Sequence, residues 1–146
     1  MGSEESPRKN MILVDTTIWS KAYRRKKIAD EDQTIVKALY NILDMGEEVL
    51  IGPVRQELLS GISNKNVFND LVIKLSGFNN YEVQLTDHDL AAEYLNICLN
   101  NGIQGSQTDF LVCAIAYRFN LEIFTEDNDF NNYKKYLPIK LHKTKS

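Results

Sequence analysis

Met11-Ile12-Leu13-Val14-Asp15-Thr16-Thr17 is the stretch on which the rest of the chain turns. Four apolar residues run unbroken into an acid, and two hydroxyl residues follow. An apolar run without alternation suits a strand buried on both faces, as in a parallel sheet covered by helices. A carboxylate at the carboxyl end of such a strand stands where open α/β sheets place their ligands. Asp15 is therefore the first candidate for chemistry, and the question for the remaining sequence is whether other acids converge on it.

Working outward, helical patterns alternate with short apolar runs. Thr16-Thr17-Ile18-Trp19-Ser20 can cap and open a helix. A second helix is expected from about Asp30 to Met45, with Ile35, Leu39 and Ile42 on one face, acids at its start and Gly46 at its end. Glu48 to Gly52 reads as a buried strand, and Pro53 suits the start of the helix that follows. Asn66 to Ser76 is expected to turn Val67, Phe68, Leu71, Val72 and Leu75 inward, and Tyr81 to Leu85 alternates like a less buried strand. Thr86-Asp87-His88-Asp89 has capping-box spacing ahead of a helix packing Leu90, Tyr94 and Ile97, with Ala91, Leu95 and Cys98 adjacent. Ser106-Gln107-Thr108-Asp109 repeats that spacing before Phe110 to Ala116, whose apolar character nearly all round predicts a central helix. Leu121 to Thr125 and Pro138 to Leu141 read as the last strands. Strands separated by helices require crossovers, so the fold class is α/β, a mainly parallel sheet with helices on both faces.

A length of 146 residues fits one domain, and 43% apolar with 25% charged residues is ordinary for a globular protein. Residues 1–10 are polar and are expected to be a flexible N-terminal tail or an added leader, although Met1 to Ser6 formally fits a myristoylation pattern. Residues 11–146 form the expected domain. No window approaches the roughly 18 apolar residues of a membrane span. Cys98 and Cys113 fall in apolar helical patterns and read as reduced core thiols of a cytoplasmic protein. His88 and His142 are too few for a zinc site, and no HExxH, paired CxxC, P-loop or GxGxxG is present. A net charge of −3 argues against a simple basic nucleic-acid binder, but the balance turns positive if five acids are set aside as a metal-binding cluster.

Those five lie near the expected carboxyl edge of the sheet. Asp15 ends the first strand, Glu57 lies a turn into the helix after the second, Asp109 sits in the first turn of the central helix, and Asp127 and Asp129 follow Leu121–Thr125. Each also has a plainer role: Asp15 as a helix cap, Glu57 as a solvated residue, Asp109 as capping partner of Ser106, and Asp127 with Asp129 as an Asx turn. Gathered together they would repel one another and raise their pKa values. A divalent cation relieves that, because hard cations such as Mg²⁺ take oxygen ligands. Two such ions about 4 Å apart can activate water and stabilise the leaving oxygen in phosphodiester cleavage. Arg55 is a candidate to hold a site carboxylate or phosphate, and Arg24 to Lys27, Lys134 and Lys135 are candidates to follow an RNA backbone. Trp19 and Tyr23 suit either base stacking or packing.

Four segments carry a resemblance. Leu13 to Thr17, Pro53 to Leu58, Thr108 to Ala116 and Phe124 to Phe130 are similar, in order, to the four motifs of PIN-domain ribonucleases, in particular the VapC toxins of type II toxin–antitoxin systems. The resemblance implies a three-layer α/β/α sandwich on a five-stranded parallel sheet, with Mg²⁺- or Mn²⁺-dependent endonucleolytic cleavage of RNA. It also implies a homodimer and an antitoxin partner. It matches Asp15, Glu57, Asp109 and Asp127 to the metal-binding acids, Asp129 to an auxiliary acid, and Thr16, Thr17 and Thr125 to hydroxyls near the site. Phe110 and Cys113 stand where smaller or aliphatic residues are usual in that family. A non-cleaving PIN-like module that binds RNA or protein is one alternative. A HAD-like phosphatase is another, but it requires an Asp where this chain has Thr17.

Overall fold

In the computed structural model, which describes residues 10–24 and 27–144, Ile12–Val14 forms the middle strand of a five-stranded sheet. The strands are β1 (Ile12–Val14), β2 (Glu48–Ile51), β3 (Asn80–Tyr81), β4 (Glu122–Phe124) and β5 (Lys140–Leu141). Their order is β3-β2-β1-β4-β5, and every neighbouring pair is parallel. Leu13 is in register with Val49 on one side and Ile123 on the other. Leu13, Val14, Val49, Leu50 and Ile51 are fully buried, which is why these strands read as unbroken apolar runs.

The chain builds β2 and β3 outward on one side of β1, then returns to lay β4 and β5 on the other. Its direction of travel therefore reverses between β1 and β4. Such a reversal opens a crevice beyond the carboxyl ends of the two strands, because their connections leave toward opposite sides. Asp15 and Thr125, each the residue after its strand, flank that crevice.

The helices are α1 (Thr16–Tyr23), α2 (Gln33–Asp44, led in by a 3-10 turn at Asp30–Asp32), α3 (Gly52–Leu59), α4 (Lys65–Ser76), α5 (Leu85–Asn100), α6 (Gln107–Phe119) and α7 (Asp129–Tyr133). They flank the sheet as an α/β/α sandwich. α6 is buried without a break from Phe110 to Ala116, packed against α5 and β4, as its all-round apolar character predicts. Trp19 is fully buried, donates its indole N–H to the Val14 carbonyl at 3.0 Å and stacks on Phe78 at 4.9 Å. Tyr23 packs on both rings. Of the two readings of this aromatic pair, packing is the one observed.

Several expected boundaries are corrected. The strand at Tyr81 to Leu85 shrinks to Asn80–Tyr81, and Leu85 is instead an exposed first residue of α5. The capping box sits at Gln84 and Asp87, two residues before the expected one, because Arg118 anchors Asp87. α5 consequently buries Ala91, Tyr94 and Cys98, and leaves Ile97 partly exposed. On α4 only Leu71 and Leu75 are buried, and Val67 faces solvent. Cys98 and Cys113 are free and buried. Among the described residues no helix is long and apolar enough to cross a membrane. Residues 1–9 of the expected tail, and Arg25 and Lys26 of the basic run, lie outside the described residues.

Candidate metal centre

The crevice is closed at its base by backbone: the Asp15 N–H donates to the Phe124 carbonyl at 2.8 Å, tying the end of β1 to the end of β4. Asp15 occupies the N-cap position of α1 but makes no side-chain cap bond, so its carboxylate is available for other partners. The side chain is buried, at 4% exposure. Its Oδ2 accepts the Thr125 hydroxyl at 2.7 Å and the Thr17 hydroxyl at 3.0 Å. Burial pushes the Asp15 carboxyl above the usual carboxylate range, although these two hydroxyls and nearby backbone N–H groups pull the other way.

Each hydroxyl has a single proton, and both are directed at Asp15. The oxygens then serve as acceptors: Thr125 takes the Asp127 N–H at 3.0 Å, and Thr17 takes the Glu126 N–H at 3.1 Å. The two threonines thus link Asp15 to the loop that carries the next acids. Asp127 Oδ1 accepts the Asp129 N–H at 2.9 Å, an Asx-type turn that starts α7. Lys21 of α1 pairs with Asp32 at 2.8 Å and with Glu126, so the same loop is also fastened to α1.

Asp109 enters from the first turn of α6. Ser106 caps that helix by accepting the Asp109 N–H at 3.0 Å, so the cap and the site share one residue. The Asp109 Oδ2 accepts the Tyr133 hydroxyl at 2.7 Å. Burial, reinforced by the charges of Asp15 and Asp127, lifts the Asp109 carboxyl to about 6 against the pull of the Tyr133 and Ser106 hydrogen bonds. Asp109, Asp127 and Asp129 each offer a carboxylate oxygen, and the three oxygens lie within 4.8 Å of one another.

Glu57 stands apart from those three. It is exposed on α3 and accepts the Thr16 hydroxyl at 2.6 Å, which places it beside the residue that follows Asp15. Arg55 is not brought to the acids. Its guanidinium donates to Ser76 Oγ at 3.0 Å and to the Val72 carbonyl, fastening α3 to α4. Lys134 and Lys135 are exposed beyond α7.

Sequence reasoning passed over Tyr133, Lys21 and Glu126. α7 is five residues long, too short for a helical period to single out Tyr133. Lys21 follows Thr17 by one helical turn, a spacing that would have put it on the same side of α1.

The donor set suits a hard divalent cation: every group offered is a carboxylate oxygen, and no histidine or thiol lies among the three. The raised Asp109 pKa has the same sense, since a nearby cation would relieve the repulsion that contributes to it.

A family model for the PIN domain matches residues 12–136. The fold is similar to that of FitAcB from Neisseria gonorrhoeae, with a TM-score of 0.71 and 18% identity over 92% of this chain and 98% of that one. It is also similar to a toxin–antitoxin complex from Klebsiella pneumoniae, with a TM-score of 0.60 and 16% identity over 82% of this chain and 89% of that one. A third similar structure is Mycobacterium tuberculosis VapC20, described as a sarcin–ricin loop cleaving toxin, with a TM-score of 0.62 and 16% identity over 83% of this chain and 93% of that one. Comparison with curated protein sequences finds no match.

Proposed function

This chain belongs to the PIN-domain family, and from that premise we propose that it is a metal-dependent endoribonuclease, the toxin of a toxin–antitoxin pair. The observation that carries the proposal is the meeting of Asp109, Asp127 and Asp129 within 4.8 Å, beside a buried Asp15 at the sheet's switch point. Asp15, Glu57, Asp109 and Asp127, with Asp129 as an auxiliary, are the residues that would hold Mg²⁺ or Mn²⁺. Such an ion supplies Lewis acidity toward a phosphoryl oxygen and lowers the pKa of bound water.

The protein's own contribution is placement. Thr17 and Thr125 orient Asp15 and favour its ionised form. The Asx turn sets Asp127 and Asp129, two residues apart, on one corner. Thr16 holds the Glu57 carboxylate at the start of α1. Arg55 ties α3 to α4 through one terminal nitrogen. The toxin assignment is supported by the similar structures, which include a toxin–antitoxin complex and an RNA-cleaving toxin. The same similar structures favour an antitoxin and an RNA substrate as partners; pairing with a second copy of the chain and a cytoplasmic location are part of the proposal on the resemblance to VapC toxins alone.

Incubation of the purified protein with total RNA and Mn²⁺ tests the activity. Asp15→Asn and Asp109→Asn should each lower cleavage by more than about 100-fold, beyond what outer-shell changes cost, while circular dichroism stays native. Undiminished cleavage in both variants, or in excess chelator, defeats the assignment.

A further inference from the structure

We propose that Tyr133 is a positioning residue for Asp109, and that Gly105 is the space its phenol requires. The inference rests on the reading above only in taking the acidic cluster as a cation site. Tyr133 is fully buried, with its ring against Phe110 at 4.9 Å and Phe130 at 5.1 Å. A phenol in such surroundings needs an acceptor, because an unpaired buried hydroxyl forfeits its hydration without return. The acceptor is Asp109 Oδ2, at 2.7 Å.

Two supports therefore fix Asp109. Ser106 holds its backbone from the preceding loop, and Tyr133 holds its carboxylate from α7. α7 is also the helix that begins at Asp129. The phenol thus connects the two halves of the cluster, Asp109 on α6 and Asp127 with Asp129 at the β4–α7 corner. The phenol occupies one acceptor site of Oδ2, so the orientation of the Asp109 carboxylate is set by the protein before any cation would be held.

Gly105 supports this assignment independently. A Cβ at that position would lie 2.3 Å from the Tyr133 hydroxyl oxygen, 2.8 Å from its Cζ and 2.9 Å from Phe110 Cε2. The residue is not among the positive-φ glycines, so what the position demands is room rather than backbone freedom. Any side chain there must push the phenol away from Asp109 or displace the ring beneath it. The sequence therefore keeps a gap where the hydroxyl sits, beside the edge of Phe110.

Calorimetric titration of the full-length protein with Mn²⁺ decides the matter. Tyr133→Phe removes one oxygen atom and keeps the packing, so the fold survives. Its Mn²⁺ dissociation constant should rise about tenfold or more, the usual effect of removing an outer-shell partner. Gly105→Ala keeps the phenol but moves it, and should weaken Mn²⁺ in the same direction. The double variant should bind no more weakly than Gly105→Ala alone, because one hydrogen bond is lost only once. A role confined to packing would lower the melting temperature and leave Mn²⁺ affinity unchanged. Tyr133→Phe binding within about twofold of the unsubstituted protein, while Asp109→Asn abolishes binding, overturns the proposal. If the unsubstituted protein binds Mn²⁺ but leaves RNA intact, the ribonuclease reading fails and a Tyr133 effect on affinity still upholds this one. Absence of Mn²⁺ binding in the unsubstituted protein defeats both.

Discussion

Thr125 makes the shorter of the two hydroxyl bonds to Asp15 and also receives the Asp127 N–H. Thr125→Val keeps the side chain's shape and deletes both. Asp15 would be left buried with one hydroxyl donor in place of two, a loss of about 2 kcal/mol that urea denaturation at pH 7 should show. Asp15, Asp109, Asp127 and Asp129 were legible in the sequence because their positions follow from local rules: the residue after a buried strand, the first turn of a capped helix, the corner after a strand. Tyr133 was not, because its value lies in a partner on another helix that no local spacing reveals. Arg55 shows the same limit from the other side. Its neighbourhood in sequence suggested the site, but Ser76 and the Val72 carbonyl on α4 were nearer.

Where a helix starts is decided at the next scale up, and α5 shows how. Its capping box is expected from the sequence at Thr86 and Asp89, and the structure adopts a second frame, Gln84 and Asp87. The second prevails because Asp87 is buried and receives both Nε and a terminal nitrogen of Arg118 at 2.7 Å, while also accepting the Gln84 N–H at 2.8 Å. The start of α5 is thereby fastened to the end of α6. Burial alone would raise the Asp87 carboxyl, but Arg118 and the Gln84 N–H outweigh it and hold the pKa below the usual 3.8. The contribution of the pair is therefore complete above about pH 4 and is lost as pH falls through the lowered value. Asp87→Asn should cost about 2 kcal/mol at neutral pH, toward the low side for breaking a buried pair because Arg118 is partly solvated. Urea midpoints at pH 7 and pH 3 should differ less in this variant than in the unsubstituted protein. The layered fold itself was legible, since unbroken apolar runs between helical patterns admit little besides a covered parallel sheet. Strand lengths were not, because three ladder residues suffice when the neighbours on both sides are paired.

Taken whole, the molecule is a sheet whose switch point gathers negative charge at one edge. Binding a divalent cation there should stabilise the native state alone, by about 2.7 kcal/mol when the ion is at a hundred times its dissociation constant. Thermal melts with and without Mn²⁺ should show an upward shift that Asp15→Asn and Asp109→Asn lose. The strand order holds a last consequence. Both margins of the sheet, β3 and β5, are only two residues long, while the longer strands lie inside. An open margin is where one chain can template another into a growing fibre. Two residues of ladder give a stray chain almost nothing to grip, so the architecture that collects the acids at its centre also guards the protein against self-propagating aggregation when it accumulates.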